Sequence, residues 1–175
     1  MGEIWRETLE AVWKRGSTAW KAGRRTATTM FIPEDVAFLK SVGCTVQEMF
    51  DFIDDFHVYG EPDFRTFMDV TALRRDYFLT VLDGKPTGKI AQMEDLPDKN
   101  AMVDGIAWLP RLIAKARLKL RGEMPDDLMY GCAGDRPFLR RMNTDLPGFL
   151  KLVAESGAND RVVVDAVKRQ AAAGR

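Results

Sequence analysis

Apolar residues recur at intervals of three and four along most of this 175-residue chain, and this spacing restricts its fold more than any other feature. Residues 3–22 show the pattern first, with Ile4, Leu9, Val12, Trp13 and Trp20 near one face of a helix. No two segments alternate polar and apolar residues well enough to predict a pair of strands. The sequence therefore predicts an all-α, mainly helical and compact fold.

Residues that start and stop helices support this prediction. Pro33 is typical of a first helical position, and Gly43 of the end of the same helix. Thr45 with Glu48 three residues later predicts a capping box at the start of the next helix. Further helices are predicted for residues 63–82, from Pro110 to Gly122, and for 135–142, 146–155 and 160–172.

The turn formers concentrate in one internal segment, which predicts the organisation of the chain. Residues 83–104 are rich in Gly, Pro, Asp and Asn and are predicted to link a helical half at 1–82 to another at 105–175. Asp35, Phe38 and Leu39 recur in the second half with the same spacing. Either two related halves pack together, or two short amphipathic helices resemble each other by chance.

The composition excludes several classes of function. Lys plus Arg and Asp plus Glu number 26 each, so we expect no general attraction to nucleic acid or to a membrane surface. No segment has the length and apolarity of a membrane span, and charges scattered through the N-terminus argue against a secretory signal. Two widely spaced cysteines, Cys44 and Cys132, indicate reduced thiols and a cytoplasmic protein.

The single histidine, His57, limits the metal and cofactor chemistry that one chain could support. Sites with two or three histidines are excluded, and a zinc site built from Cys44, Cys132 and His57 lacks the usual ligand spacing. Glycine-rich nucleotide fingerprints are also absent from the sequence. We therefore expect neither a metal nor a cofactor.

An arginine interrupts the apolar stripe of the helix at 63–82. The spacing places Arg75 on one face with Phe64, Met68, Ala72 and Leu79. A buried guanidinium requires a partner, which is either Asp54 or Asp55 in an internal ion pair or the carboxylate or phosphate of a ligand. Arg74 and Tyr77 are neighbours that could complete a polar pocket.

His57 is predicted on the apolar face of the preceding helix. Asp54 lies three residues earlier and could orient the imidazole for proton transfer. The alternative is a packed, hydrogen-bonded histidine at a helix end, where the helix dipole favours its charge.

Two further clusters lie in the second half. Arg111 and Lys115 are one turn apart and either hold an anion or belong to a solvated basic face. Tyr130, Cys132 and Asp135 surround two glycines just before a helix. Cys132 is either a nucleophile near a helix N-terminus or a small packed residue, and Asp135 is the natural N-cap of that helix.

The string VDGIAWLPRLIAKARLKLRGEMPDDLMYGCAGDRPFL at residues 103–139 resembles DUF5069, a bacterial domain family of unknown function. The shared features are Leu-Pro-Arg, a following basic helix, Tyr-Gly-Cys, and Asp-Arg before Phe-Leu. The upstream strings FIDDFHVYGEPDF and LRRDYFLTVLDGKP are similar to longer members of that family. The resemblance implies no activity.

Three hypotheses of function follow. The first is a cofactor-independent lyase, isomerase or hydrolase for a small anionic or polar molecule, with its pocket between the helical halves. Arg75 and Arg111 would bind the anion, and His57 with Asp54, or Tyr77, would move a proton. The second is a non-catalytic binding or sensor module. The third is a partner-binding protein, a homodimer included, that uses exposed Trp5, Trp13 and Trp20.

Overall fold

A computed structural model describes residues 4–174, and helices make up most of that part of the chain. The first helices are α1 (Ile4–Lys21), α2 (Ala27–Met30), α3 (Pro33–Ser41), α4 (Val46–Tyr59) and α5 (Phe64–Thr80). A 3-10 helix (Met93–Asp95) and the strands β1 (Met102–Val103) and β2 (Ile106–Ala107) follow. The chain continues with α6 (Leu109–Arg121), α7 (Asp135–Arg141), α8 (Leu146–Ser156) and α9 (Asp160–Ala173). The predicted helical class is confirmed.

The chain divides into two compact units, Met1–Pro86 (the N-terminal unit) and Thr87–Arg175 (the C-terminal unit). Part of the segment that the sequence suggested as a linker has structure of its own. The amide of Ala91 donates to the carbonyl of Glu123, and Leu96 packs against Leu118 and Leu128. Residues 87–104 thus contribute to the C-terminal unit.

The core of the N-terminal unit lies among α1, α4 and α5. Its buried side chains are Leu9, Val12 and Trp13 of α1, Met49, Phe52 and Ile53 of α4, and Phe67 and Val70 of α5. Gly16 lets α1 approach α4 closely, because a Cβ atom there would lie 2.6 Å from Cδ1 of Ile53. The three helices therefore hold one another in a fixed arrangement.

The helix starts of this unit follow local capping chemistry. The hydroxyl of Thr45 accepts from the amide of Glu48, whose carboxylate accepts from the amide of Thr45, so the predicted capping box is confirmed. Asp63 caps α5 by accepting from the amide of Thr66. Gly60 ends α4 at φ 78°, a backbone conformation that favours glycine.

The core of the C-terminal unit lies among α6, α8 and α9. Its buried side chains include Leu109, Leu112, Ile113 and Ala116 of α6, Phe149, Leu150 and Val153 of α8, and Val163, Val164 and Val167 of α9. The apolar stripes of these helices have the spacing of core-facing helices.

A short hairpin joins β1 and β2, which the sequence analysis did not predict. Met102 pairs with Ala107 and Val103 with Ile106 in antiparallel register. Asp104 and Gly105 form the turn with φ values of 50° and 76°, and Asp-Gly is a strong signal for such a turn. Two residues per strand are too few to show an alternating pattern.

Among residues 4–174, no helix combines the length and the apolarity that crossing a lipid bilayer requires.

Candidate functional site

An open groove on the N-terminal unit brings His57 together with polar side chains of α1. Its volume is about 420 Å³. The lining residues are Glu10, Trp13, Lys14, Ser17, Thr18 and Lys21 of α1, Phe56 and His57 of α4, and Phe64 of α5. We call this the α1 groove. It has an aromatic floor and a rim with basic side chains.

His57 is held by aromatic contacts rather than by hydrogen bonds. Its ring stacks on Trp20, with centroids 4.5 Å apart and planes 15° apart, and meets the edge of Phe56 at 5.5 Å. The Nε2 atom is buried and has no hydrogen-bond partner within the described residues. The hydroxyl of Ser17, in the same groove, is likewise buried and without a partner. Buried polar atoms normally have partners, so this pair of atoms is unusual.

The surroundings of His57 favour the neutral imidazole. Burial lowers the pKa of His57 below its ordinary value of 6.5, and the positive charges of Lys21 and Arg25 lower it further, while Asp54 opposes them. A neutral ring carries one nitrogen that accepts a proton or a hydrogen bond. His57 therefore lines the groove as a ring whose neutral form has one acceptor nitrogen.

Asp54 does not orient His57, contrary to the prediction. Its carboxylate accepts a hydrogen bond from Nε1 of Trp20 at 2.7 Å, and it acts on His57 through charge. Asp54 and His57 share a face of α4, but the carboxylate of Asp54 accepts its hydrogen bond from the indole of Trp20 instead of from the imidazole of His57. Asp54 thus positions Trp20, which in turn stacks on His57.

The stripe predicted for α5 is offset by about one residue. The buried positions are Phe67, Val70, Thr71, Arg74 and Phe78, whereas Leu79 is 41% exposed. Arg74, at 3% exposure, is therefore the arginine on the core-facing side. Arg75 is half-buried with its guanidinium over the ring of Trp5 at 4.9 Å. The prediction failed because Arg74 and Arg75 differ by one helical step and both have apolar neighbours at three or four residues.

The two arginines have no ion pair with Asp54 or Asp55 in the described part of the N-terminal unit. Nε and Nη1 of Arg74 are buried without hydrogen-bond partners, and so is Nε of Arg75. Burial lowers the pKa of Arg74, while nearby acidic groups, the Glu48 carboxylate first among them, raise it. Tyr77 is one of these neighbours of Arg74, as predicted, and it does not line the α1 groove.

The basic residues of α6 do not form a solvated strip. Arg111 donates to the carbonyl of Pro97 at 2.8 Å, which fastens the loop before β1 to the helix. Lys115 is 2% exposed, and its ammonium contacts the carboxylate of Asp135 at 2.5 Å. Neither alternative from the sequence, an anion site or a solvent-exposed face, describes these two side chains.

Asp135 is a buried acceptor rather than an N-cap. It is the first residue of α7, and Gly134 occupies the cap position. Besides Lys115, its carboxylate accepts from Nε1 of Trp108 at 3.0 Å and from the amide of Gly131 at 2.8 Å. The indole of Trp108 lies so close to Gly134 that a Cβ atom there would be 2.6 Å from it. The carboxylate therefore joins α6, α7 and the loop between them.

Tyr130 and Cys132 flank this carboxylate. The hydroxyl of Tyr130 donates to the carbonyl of Leu146 at 2.8 Å, and burial raises the pKa of Tyr130 well above 10. Tyr130 is 1% exposed and its hydroxyl already has a partner within the protein, so its predicted ligand contact stays a prediction. Cys132 is half-buried, with its sulfur 3.3 Å from Nζ of Lys115. The ammonium of Lys115 thus lies beside the sulfur of Cys132. The role of Cys132 as a nucleophile stays a prediction.

Ser17 and Lys21 are among the residues of the α1 groove that the sequence analysis did not single out. They are one turn apart on α1, and the four-residue interval was the available signal. Trp13 was expected to be exposed but is 6% exposed and packs against Phe64 and Phe67. No cluster of three or more histidine, cysteine, aspartate or glutamate side chains suited to a metal occurs within residues 4–174.

The fold and these sites define a helical protein with a groove in one unit and a buried ion-pair cluster in the other. Residues 95–175 match the family model described as Domain of unknown function (DUF5069). The resemblance is confirmed over that range, which contains Lys115, Cys132 and Asp135. The match does not include the α1 groove. No curated protein and no solved structure matches the chain.

Proposed function

We propose that the N-terminal unit binds a small anionic molecule in the α1 groove and that His57 accepts a proton from it. The observation that carries this proposal is the pair of buried, unpartnered polar atoms, Nε2 of His57 and the hydroxyl of Ser17, that line one groove. Leaving such atoms unpaired costs free energy, which a bound molecule with suitable polar groups would recover.

The charges around the groove favour an anion. Lys14 is paired with Glu10, whereas Lys21 has no ion pair among the described residues. Arg25 lies over Trp20 at 4.0 Å and lowers the pKa of His57 through its charge. Trp13, Phe56 and Phe64 offer apolar surface, so a carboxylate or phosphate with a short carbon skeleton fits this lining.

A neutral imidazole next to a bound substrate is the usual arrangement of a general base. The reaction class that the site supports is proton abstraction next to a carbonyl or carboxylate, as in a lyase or isomerase without a cofactor. Arg75 and Arg111 have no part in this proposal, because Arg75 lies on Trp5 and Arg111 on Pro97. We further propose the cytoplasm as the compartment, which two cysteines outside any disulfide support.

The proposal is tested in two stages. A thermal-shift panel of small carboxylates and phosphates first identifies a ligand, which should stabilise wild-type protein. Each hit is then incubated with the protein in deuterium oxide, and loss of ligand proton signals is followed by NMR. We expect exchange with wild type, and binding without exchange in His57→Ala.

Controls separate the alternatives. Ser17→Ala and Lys21→Met should weaken binding, whereas Lys151→Met, an exposed lysine of α8, should leave it unchanged. Binding without exchange in wild type would contradict the enzyme and favour the non-catalytic sensor. If Ser17→Ala, Lys21→Met and His57→Ala all bind the ligand as tightly as wild type does, the ligand binds outside the α1 groove.

A further inference from the structure

A second polar site of the N-terminal unit lies on the buried face of α5. Thr71 and Arg74 are one turn apart on that face, and they are 1% and 3% exposed. The Thr71 hydroxyl and two guanidinium nitrogens of Arg74 have no hydrogen-bond partner within the described residues. Phe64 of the α1 groove lies ten residues earlier on α5, about 15 Å along the helix axis, so this is a separate place.

The neighbours of Arg74 do not satisfy its charge. The guanidinium lies over the ring of Phe78 at 5.2 Å, a contact that leaves its N–H groups free. The Glu48 carboxylate raises the pKa of Arg74 through its charge, but it accepts from the amide of Thr45 at the start of α4, and Nε and Nη1 of Arg74 have no partner in the described residues. A buried cation with orphaned N–H groups is costly, and proteins normally avoid it by pairing.

We propose that Thr71 and Arg74 form a binding site for a small oxyanion, a carboxylate or phosphate group. Such a group supplies one negative charge or more and several oxygen acceptors, and it would accept from the guanidinium and from the hydroxyl together. Arginine is the side chain best suited to this task, because its planar array of donors matches these groups.

The test measures the thermal midpoint of the full chain in inorganic phosphate, in malonate and in sodium chloride at equal ionic strength. Phosphate, malonate or both should raise the midpoint by several degrees over chloride. In the Lys21→Met background, which weakens binding at the α1 groove, Arg74→Met should abolish that increment and Thr71→Val should reduce it. Arg65→Met, which removes an exposed arginine from the same helix, should retain it.

Two further measurements keep this site distinct from the α1 groove and from a structural role. Lys21→Met should retain the Arg74-dependent increment. In chloride, Arg74→Met should be at least as stable as wild type, because it removes an unpaired buried charge. The proposal would be overturned by equal midpoints in all three salts. It would also be overturned by an increment that survives Arg74→Met in the Lys21→Met background, or by a large loss of stability of Arg74→Met in chloride.

Discussion

His57 has a specific consequence for stability as a function of pH. Burial and nearby positive charge lower its pKa in the folded protein below 6.5. The neutral His57 ring therefore contributes fully to the free energy of unfolding above about pH 6.5, the pKa of histidine in the unfolded chain. That contribution is lost as the pH falls through the lower pKa of His57 in the folded protein. We expect the unfolding midpoint to fall between about pH 7 and about pH 5, and His57→Gln to flatten this part of the profile.

Lys21 provides the matched control for that measurement, because its charge contributes to the lowered pKa of His57. Lys21→Met should bring the His57 pKa closer to its ordinary value and reduce the slope. A wild-type profile whose slope is the same in His57→Gln would show that other groups govern stability in this range.

The buried pair of Lys115 and Asp135 gives a second expectation for single residues. Lys115→Met leaves the fully buried Asp135 carboxylate without its cation, which should cost about 3–5 kcal/mol in urea unfolding. The control is Lys151→Met, since Lys151 and Glu155 are 3.8 Å apart and both well exposed. That change should cost about 0–1 kcal/mol. Similar values for the two variants would contradict the structural role of Asp135.

At the scale of helices, Asp63 tests how far capping holds α5 in place. The amide and then the hydroxyl of Thr66 lower the pKa of Asp63. Asp63→Ala should cost about 1 kcal/mol near neutral pH, while Asp63→Asn keeps an acceptor and should cost less. A lowered carboxyl pKa stabilises above about pH 4, so the difference between wild type and Asp63→Ala should shrink at about pH 2.

The cap prediction fails if urea unfolding shows the same difference at both pH values. It also fails if Asp63→Asn is as unstable as Asp63→Ala.

The sequence was sufficient to predict where helices begin and end, but it did not predict which side of α5 is buried. Thr45, Glu48 and Pro33 act within one turn, so local chemistry sets the helix starts. Which side of α5 is buried depends on α1 and α4, whose positions a single sequence does not specify. Thr71 and Arg74 consequently appear at positions where aliphatic residues would be expected, and the apolar Leu79 is exposed.

At the scale of the whole molecule, the boundary between units makes a prediction for limited proteolysis. Nearly all residues from 81 to 90 are exposed, and Lys89 is the trypsin site in this stretch that no proline follows. Brief digestion should cut after Lys89 first and give two fragments on denaturing gels. Lys89→Gln should slow this cut. An earlier cut within α5 or α6 would contradict the boundary.

The candidate site was only partly readable from the sequence. His57 was singled out because it is the only histidine, and its position next to Phe56 followed from the helix. The neighbours of His57 in the groove lie on α1, more than thirty residues earlier in the sequence. Only tertiary packing brings Ser17, Trp20 and Lys21 close to His57. Tertiary packing also explains why Asp54 accepts a hydrogen bond from Trp20, which is distant in sequence, instead of from His57, which is close in sequence.

The most direct test of the proposed function follows the His57 ring by NMR during titration with the carboxylate and phosphate panel. With one histidine in the chain, its ring signals are unambiguous. We predict that at least one anion shifts these signals saturably and raises the His57 pKa, because a nearby negative charge favours the imidazolium. Ring signals that no panel member moves, at concentrations up to the millimolar range, would contradict the proposal that the α1 groove binds a small anion.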